Sequence, residues 1–206
     1  MPFAYRSPIS LTEAADMLGA AGARVIGGGT DLLVAMESGL DPASVLVDMT
    51  KAADAATIAE QPDGSLRIGA AARLDAIAGH TTVQSRFPVL SLAALEVATP
   101  AIRSMGTIGG NLCQRPRCWY LRQRIPCHKN GATGCPALEG ENQYHAILGG
   151  GPCHAAHPSD LAVALLALDA RIVVRNAHDT RAISIDELYA NAATDARSET
   201  TLAQGE

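Results

Sequence analysis

Short apolar runs alternate with polar or glycine-rich turns in the first quarter of the chain, and this pattern predicts alternating helices and strands. A capping box at residues 10–13 predicts a helix over Leu11–Leu18. Two buried strands are predicted at Arg24–Ile26 and Val45–Asp48, with a helix over Leu32–Glu37 between them. A strand, a glycine turn, a helix and a second strand together predict a small α/β unit with parallel strands.

The pattern changes after about residue 50, and we place a subdomain boundary near residues 50 to 58. The predicted organisation is an N-terminal subdomain (1–55), a second subdomain (56–190) and a polar, weakly structured tail (191–206). The elements predicted in the second subdomain are a strand at Leu66–Gly69, a helical turn at Leu74–Ala78, an amphipathic helix at Pro88–Ala98, a helix from Asp160 through Leu168, paired strand-like runs at Arg171–Arg175 and Ala182–Ile185, and a helical turn at Asp186–Tyr189.

Composition and charge exclude several classes of protein. The chain has 206 residues, is 48% hydrophobic and 18% charged, and so has the composition of a folded globular protein. Its net charge of −5 argues against binding nucleic acid by bulk electrostatics, and an aromatic content of 3% argues against base-stacking platforms. No apolar run reaches the roughly 18 residues of a membrane span, and the N-terminus lacks the apolar stretch of a signal peptide.

The cysteines are confined to one region of the chain. None occurs in the first 112 residues, and all five lie in or beside a stretch without periodicity, between about residues 114 and 158. They are Cys113, Cys118, Cys127, Cys135 and Cys153. An odd count without an export signal argues against a disulfide scaffold. A loop this long is functional or disordered, and cysteines favour a metal-binding function.

Three segments have the chemistry of a dinucleotide site. Gly27–Asp31 lies between a strand and a helix, where backbone N–H groups can hold a diphosphate, although such a segment is also an ordinary turn. Gly106–Asn111 exposes backbone in the same way, or forms a tight turn. Asp160, at a helix start, can accept hydrogen bonds from ribose or ribityl hydroxyls, or can simply belong to the helix cap. Two such loops and a carboxylate together favour a dinucleotide-binding site over three unrelated turns and caps.

These motifs carry a resemblance to a known family. Val25–Leu33 together with Ile102–Leu112 resembles the FAD-binding medium subunit of the molybdenum hydroxylases, a family that includes xanthine dehydrogenases, aldehyde oxidoreductases and aerobic carbon monoxide dehydrogenases. The resemblance extends from Phe3 to about Gln204. It implies an α+β fold of two FAD-binding subdomains, of the vanillyl-alcohol oxidase (PCMH) type, with a long cysteine-rich loop insertion.

The resemblance also implies the residues that bind FAD. The first loop would bind the diphosphate, the second would form the other wall of the site, and a carboxylate would bind the sugar chain. The implied residues are Ile26, Gly27, Gly28, Gly29, Thr30, Asp31 and Leu32 in the first loop, Gly106, Thr107, Gly109, Gly110 and Asn111 in the second, and Asp160 for the sugar. No catalytic residue is assigned to this chain.

Four of the cysteines are candidate ligands of a [4Fe–4S] cluster. They are spaced Cys118-x8-Cys127-x7-Cys135-x17-Cys153, which supplies four thiolates but does not by itself separate iron–sulfur from zinc. The resemblance implies the cluster, since roughly forty extra residues at 113–158 match the subtype of this subunit that carries one. Cys113 is left out as a small packed residue, although it could take the place of one of the four ligands, and the histidines of the loop are given no metal role.

The implied function is electron relay rather than substrate chemistry. Electrons would pass from a molybdopterin-binding large subunit, through a small subunit with two [2Fe–2S] clusters, to FAD and then to an external electron acceptor. Nucleic acid and a membrane span are not expected, and the compartment is cytoplasmic, or periplasmic by co-export with a signal-bearing partner subunit. Two alternatives stay open: a zinc-stabilised four-cysteine module that has lost its flavin, and a flavin oxidase that acts alone.

Three further features of the sequence have two interpretations each. Family subunits continue for about another small domain beyond a segment like 201–206, so the chain is expected to be either truncated or a minimal flavin module. Trp119 and Tyr120 are expected to anchor the loop rather than cover a cofactor. The arginines of the loop form either a solvated face or a docking surface for an acidic partner; they are Arg115, Arg117, Arg122 and Arg124.

Overall fold

Within residues 2–193 and 195–206, which the computed structural model describes, the chain forms ten α-helices and seven strands in three small sheets. The strands are β1 (Ala4–Arg6), β2 (Ala23–Ile26), β3 (Val45–Asp48), β4 (Ile58–Glu60), β5 (Leu66–Ile68), β6 (Arg171–Arg175) and β7 (Thr180–Ser184). The helices are α1 (Leu11–Leu18), α2 (Leu32–Glu37), α3 (Leu74–Gly79), α4 (Thr81–Arg86), α5 (Pro88–Glu96), α6 (Pro100–Arg103), α7 (Ile108–Leu112), α8 (Trp119–Arg122), α9 (Asp160–Ala167) and α10 (Ile185–Tyr189). Among these described helices, none has the length and apolar character needed to cross a bilayer.

The N-terminal sheet is parallel, with strand order β1–β3–β2. The helix α1 begins at the predicted cap, where Ser10 accepts a hydrogen bond from the backbone N–H of Glu13. Its residues Ala14 and Leu18 lie on one face, four positions apart, and pack against Val47 of β3. The predicted strand–turn–helix–strand unit with parallel pairing is therefore confirmed, while β1 was not predicted.

A larger core lies between the helices of the second half of the chain. It joins α3, α5 and α9 to the antiparallel β6–β7 hairpin and α10. The prediction of an amphipathic α5 is wrong, because Leu90 is buried while Leu92 and Leu95 are exposed, so apolar side chains occupy both faces. The second strand of the hairpin ends at Ser184, one residue before the predicted end, because Ile185 begins α10.

The segment 113–158, called the cysteine segment below, is largely irregular, as predicted, but it contains α8 and a 3-10 turn at His128–Asn130. Leu121 of α8 is 1% exposed and anchors the segment. The tail was predicted to be weakly structured, yet Leu202 packs against the larger core. Gln204 also donates its side-chain amide to the carbonyl of Leu18, at 2.7 Å. These contacts hold the tail against the rest of the chain.

Candidate functional site

The two glycine motifs, far apart in sequence, touch each other in space. We call Gly27–Asp31 the first glycine loop and Gly106–Asn111 the second. A Cβ atom added to Gly28 would lie 1.9 Å from the carbonyl oxygen of Met105, and one added to Gly27 would lie 2.6 Å from a hydroxyl of the second loop. Because no side chain fits between them, the glycines let the two backbones form one continuous surface.

The first glycine loop presents unused backbone groups. Gly27, Gly28 and Thr30 form no hydrogen bond to any part of the chain that the structure describes, so their N–H groups are free for a ligand. The predicted contact residues that flank the loop, Ile26 and Leu32, belong instead to an apolar cluster. Ile26 ends β2 and Leu32 begins α2, and their side chains pack together in a small apolar core. The side chain of Ile26 is buried there, while that of Leu32 stays partly exposed.

Asp31 faces the cysteine segment instead of an open cradle. Its carboxylate accepts a hydrogen bond from the guanidinium of Arg122 at 2.8 Å and another from the backbone N–H of Arg115 at 3.1 Å. Arg117 lies 3.4 Å away, and Arg115 in turn pairs with Glu199 of the tail at 3.1 Å. Three of the four arginines of the segment therefore hold it to the first glycine loop and the tail, rather than forming a purely solvated face.

The second glycine loop is locked to the start of α9. Thr107 caps α7 by accepting a hydrogen bond from the N–H of Gly110 at 3.1 Å, so a helix forms where a tight turn was considered. The buried side-chain carbonyl of Asn111 accepts a 2.6 Å hydrogen bond from the hydroxyl of Ser159. The same hydroxyl accepts from the N–H of Ala162 and caps α9. This buried network fixes the loop and the helix relative to each other.

Asp160 is the first residue of α9 and lies next to this network without joining it. Its side chain is exposed and forms no hydrogen bond to the described residues. Because Ser159 already caps the helix, the carboxylate of Asp160 has no capping role to fill. It is left available to a ligand, and its role in binding a sugar chain stays a prediction.

The four cysteines predicted as ligands line one small cavity. They are Cys118, Cys127, Cys135 and Cys153, and the other residues around the cavity include Tyr120, Leu121, His128, Lys129 and His145. Burial raises the pKa of the Cys153 thiol, while the backbone N–H of Ala155 and the charge of Lys129 oppose that shift. Among the described side chains, no three His, Cys, Asp or Glu residues converge closely enough to ligate a single ion.

Cys113 lies apart from that cavity, directly after the second glycine loop. Its surface is exposed, yet desolvation by the surrounding protein raises the pKa of its thiol to about 11. The thiol is therefore reachable but held protonated at neutral pH.

Two residues of the cavity, Lys129 and His145, are not selected by any pattern in the sequence. The ring nitrogen Nε2 of His145 lies 3.2 Å from the sulfur of Cys118, and Lys129 is almost fully buried, with its side chain 7% exposed. Glu199, 70 positions along the chain from Lys129, forms an ion pair with it at 3.3 Å. These partners are brought together only by the fold, so no local motif could have revealed them.

Comparison with known proteins identifies relatives over the same region. The chain is 37% identical over 190 residues to the aldehyde oxidoreductase FAD-binding subunit PaoB of Escherichia coli K12, a match covering 90% of this chain and 59% of the relative. It is 29% identical over 160 residues to the carbon monoxide dehydrogenase medium chain of Hydrogenophaga pseudoflava, covering 77% and 50%. The fold matches a chain of quinoline 2-oxidoreductase from Pseudomonas putida 86 with a TM-score of 0.70, at 24% identity, over 100% of this chain and 56% of that one.

The chain thus spans between half and three fifths of the length of these relatives. A family model described as the FAD binding domain in molybdopterin dehydrogenase matches residues 1–204. The joined glycine loops, the fixed second loop and the unpaired carboxylate at the start of α9 lie within that match. The chain therefore belongs to the family of FAD-binding domains of molybdopterin dehydrogenases.

Proposed function

We propose that the chain is the FAD-binding part of an electron-transfer subunit in a molybdenum-containing complex related to the aldehyde oxidoreductases and xanthine dehydrogenases. It binds FAD on the surface that its two glycine loops form together, and it binds a [4Fe–4S] cluster in the cysteine segment. The fold is of the two-subdomain, vanillyl-alcohol oxidase (PCMH) type, with residues 1–55 and 56–190 as the subdomains and 113–158 as an insertion. The observation that carries the proposal is the contact between the two glycine loops.

The residues present suit FAD. The free N–H groups of the first glycine loop offer donors for a diphosphate, and the exposed carboxylate of Asp160 offers an acceptor for sugar hydroxyls. Exposed apolar side chains at Leu33, Ile102 and Met105 lie in or next to the two loops and offer surface for a flat ring. FAD, when bound, accepts and releases electrons singly or in pairs. The role of this chain is to bind and orient it, which requires no catalytic base.

The cysteine cavity suits a cluster better than a single zinc ion. Four thiols supply the usual ligand set of a [4Fe–4S] cluster. In such a cluster each thiolate binds a different iron, so the four sulfurs surround a volume and do not converge on one point. That arrangement agrees with four cysteines around one cavity among which no group fits a single ion.

The partners follow from the relatives. The E. coli relative is named as the FAD-binding subunit of an aldehyde oxidoreductase, and the Hydrogenophaga relative as a medium chain. We extend this to a complex with a molybdopterin-binding large subunit and a [2Fe–2S] small subunit, which delivers electrons to FAD for an external acceptor. The compartment is cytoplasmic, or periplasmic by co-export with a signal-bearing partner.

Flavin binding is tested by titrating purified protein with FAD and following flavin fluorescence. Asp160→Asn should weaken binding by about tenfold, the loss of one charge-assisted hydrogen bond. Asp186→Asn is the matched control, since Asp186 is also exposed in the first turn of a helix capped by serine. Wild-type protein that binds no FAD would contradict the flavin site. Equal affinity in wild type and the Asp160 variant would remove Asp160 from it.

The cluster is tested by anaerobic purification with measurement of iron, sulfide, zinc and flavin. Serine replacement of any of the four cavity cysteines should abolish the iron and sulfide, whereas Cys113→Ser should retain both. A colourless protein containing zinc and no flavin would support the zinc-module alternative. Substrate turnover by FAD-loaded chain without partner subunits would support the stand-alone oxidase and overturn the relay.

A further inference from the structure

We propose that Lys129 and His145, neither of them a ligand, stabilise negative charge on the cluster and raise its reduction potential. The inference rests on the proposed [4Fe–4S] cluster and assigns the two side chains that adjust it. Both residues line the same cavity as the four cysteines. A buried lysine is uncommon in proteins, and this one lies beside four thiols.

Lys129 places a positive charge against the cavity. Its side chain is 7% exposed, and its ammonium donates to the carbonyl of Ala196 at 2.8 Å and pairs with Glu199 at 3.3 Å. The Glu199 carboxylate does not neutralise it fully, because the same oxygen also pairs with Arg115 at 3.1 Å. Two cations share one carboxylate, so one positive charge is left over beside the sulfurs.

That excess charge acts on the cluster through ordinary electrostatics. Four thiolates and the iron–sulfide core carry net negative charge, and each reduction adds one electron to it. A nearby cation screened from water therefore stabilises the reduced form more than the oxidised form. Lys129 shifts the one-electron couple towards reduction by this means, with no bond made or broken in the protein.

His145 acts on a single sulfur. Its Nε2 lies 3.2 Å from Cys118 Sγ, and its ring packs edge-on against Trp119, with centroids 5.6 Å apart, and at a tilt against Tyr120. An iron-bound thiolate carries no proton, so Nε2 must be the donor in this contact. Hydrogen bonds to cluster sulfurs are one of the determinants of potential.

The other ring nitrogen supports that orientation. Nδ1 of His145 is buried and has no hydrogen-bond partner among the described residues. A buried polar atom without a partner is costly, so the position of the ring needs another cause. The aromatic neighbours instead hold the ring with Nε2 on the sulfur. This geometry is expected of a histidine whose role is to donate a hydrogen bond to the sulfur.

The test measures the potential of the cluster in reconstituted protein by redox titration, followed by electron paramagnetic resonance. Lys129→Met should lower the ratio of reduced to oxidised cluster at a fixed potential by about tenfold, which is about 59 mV for one electron. Lys51→Met is the control, because Lys51 is the only other lysine and is exposed. Lys129→Arg keeps the charge and should stay close to wild type, which separates charge from packing.

His145→Phe keeps an aromatic ring and removes the donor, so it should lower the potential, while His145→Gln retains a donor and should lower it less. Unchanged potentials in both Lys129→Met and His145→Phe, with a full complement of iron, would overturn the inference and leave the cluster proposal intact. Failure of wild-type protein to take up a cluster would instead contradict the proposed function. If Lys129→Met takes up no iron, Lys129→Arg and His145→Gln still test the inference. A reduction potential shifted equally in every variant that takes up a cluster would indicate an effect of packing alone and would overturn it.

Discussion

Replacing Asp31 by asparagine should destabilise the chain by about 2–3 kcal/mol. The carboxylate is 16% exposed and accepts two charge-assisted hydrogen bonds, from the Arg122 guanidinium and the Arg115 backbone, each worth roughly 1.5–3 kcal/mol. An asparagine keeps one acceptor but turns an N–H group towards a donor. Part of the loss is offset, since Arg122 also donates to the carbonyls of Pro116 and Arg115. The contact with Arg117, whose side chain is 60% exposed, adds at most about 1 kcal/mol.

Thermal unfolding followed by circular dichroism measures this effect. A loss of about 2–3 kcal/mol corresponds to a fall in Tm of about 4–12 °C for a chain of this size. Asp41→Asn is the control, because its partner Arg24 is 42% exposed and the pair should contribute less than about 1 kcal/mol. Trypsin should also cleave after Arg122 faster in the Asp31 variant, since that guanidinium loses its carboxylate. Equal melting temperatures for the two variants would refute the reasoning.

Three other predictions concern the second glycine loop and its neighbours. Gly28→Ala should push the two loops apart and reduce FAD affinity at least tenfold by fluorescence titration, whereas Gly79→Ala, whose added methyl meets nothing within 4 Å, should not. Ser159→Ala should cost about 1–3 kcal/mol in urea unfolding, because it removes a helix cap and leaves the buried Asn111 carbonyl unpaired; a loss below 0.5 kcal/mol, roughly the size of a neutral surface change, would contradict this. Alkylation of Cys113 should rise about tenfold per pH unit from pH 8 to 10, since its pKa is about 11 and only the thiolate reacts; mass spectrometry of the tryptic peptide 104–117 measures it, and a plateau near pH 9 would show the pKa to be lower.

Local patterns predicted the elements whose causes are local. The helix α1 was predictable because its cap and its apolar spacing lie within nine residues, and α2 because a glycine turn precedes it. The strand β1 was not, since its three residues carry largely exposed side chains and acquire their conformation by pairing with β3. The helix α5 was assigned the wrong character because exposed leucines cannot be told from buried ones by sequence alone.

The candidate site likewise combines residues that the sequence predicts with partners that only the fold brings together. The glycines and cysteines could be predicted as site residues from residue type alone, and the structure brings each set together. The partners of Asp31 were not predictable, because carboxylate and guanidinium are separated by 91 positions and a diphosphate role was the simpler interpretation of the motif. Glu199 lies in a tail whose polar sequence gives no hint that two cations of the cysteine segment depend on it.

The chain of contacts from Lys129 through Glu199 and Arg115 to Asp31 connects the cysteine cavity with the first glycine loop. In the proposed function both are ligand sites, and two ion pairs and one backbone hydrogen bond link them. A coupling free energy between two ligand sites is reciprocal. If filling the cavity tightens this chain of contacts, FAD binds more firmly to cluster-loaded protein, and the cluster is released more slowly from FAD-loaded protein by the same factor. Calorimetric titration of FAD into protein with and without iron measures that factor, and a ratio of one would show that the two sites fill independently.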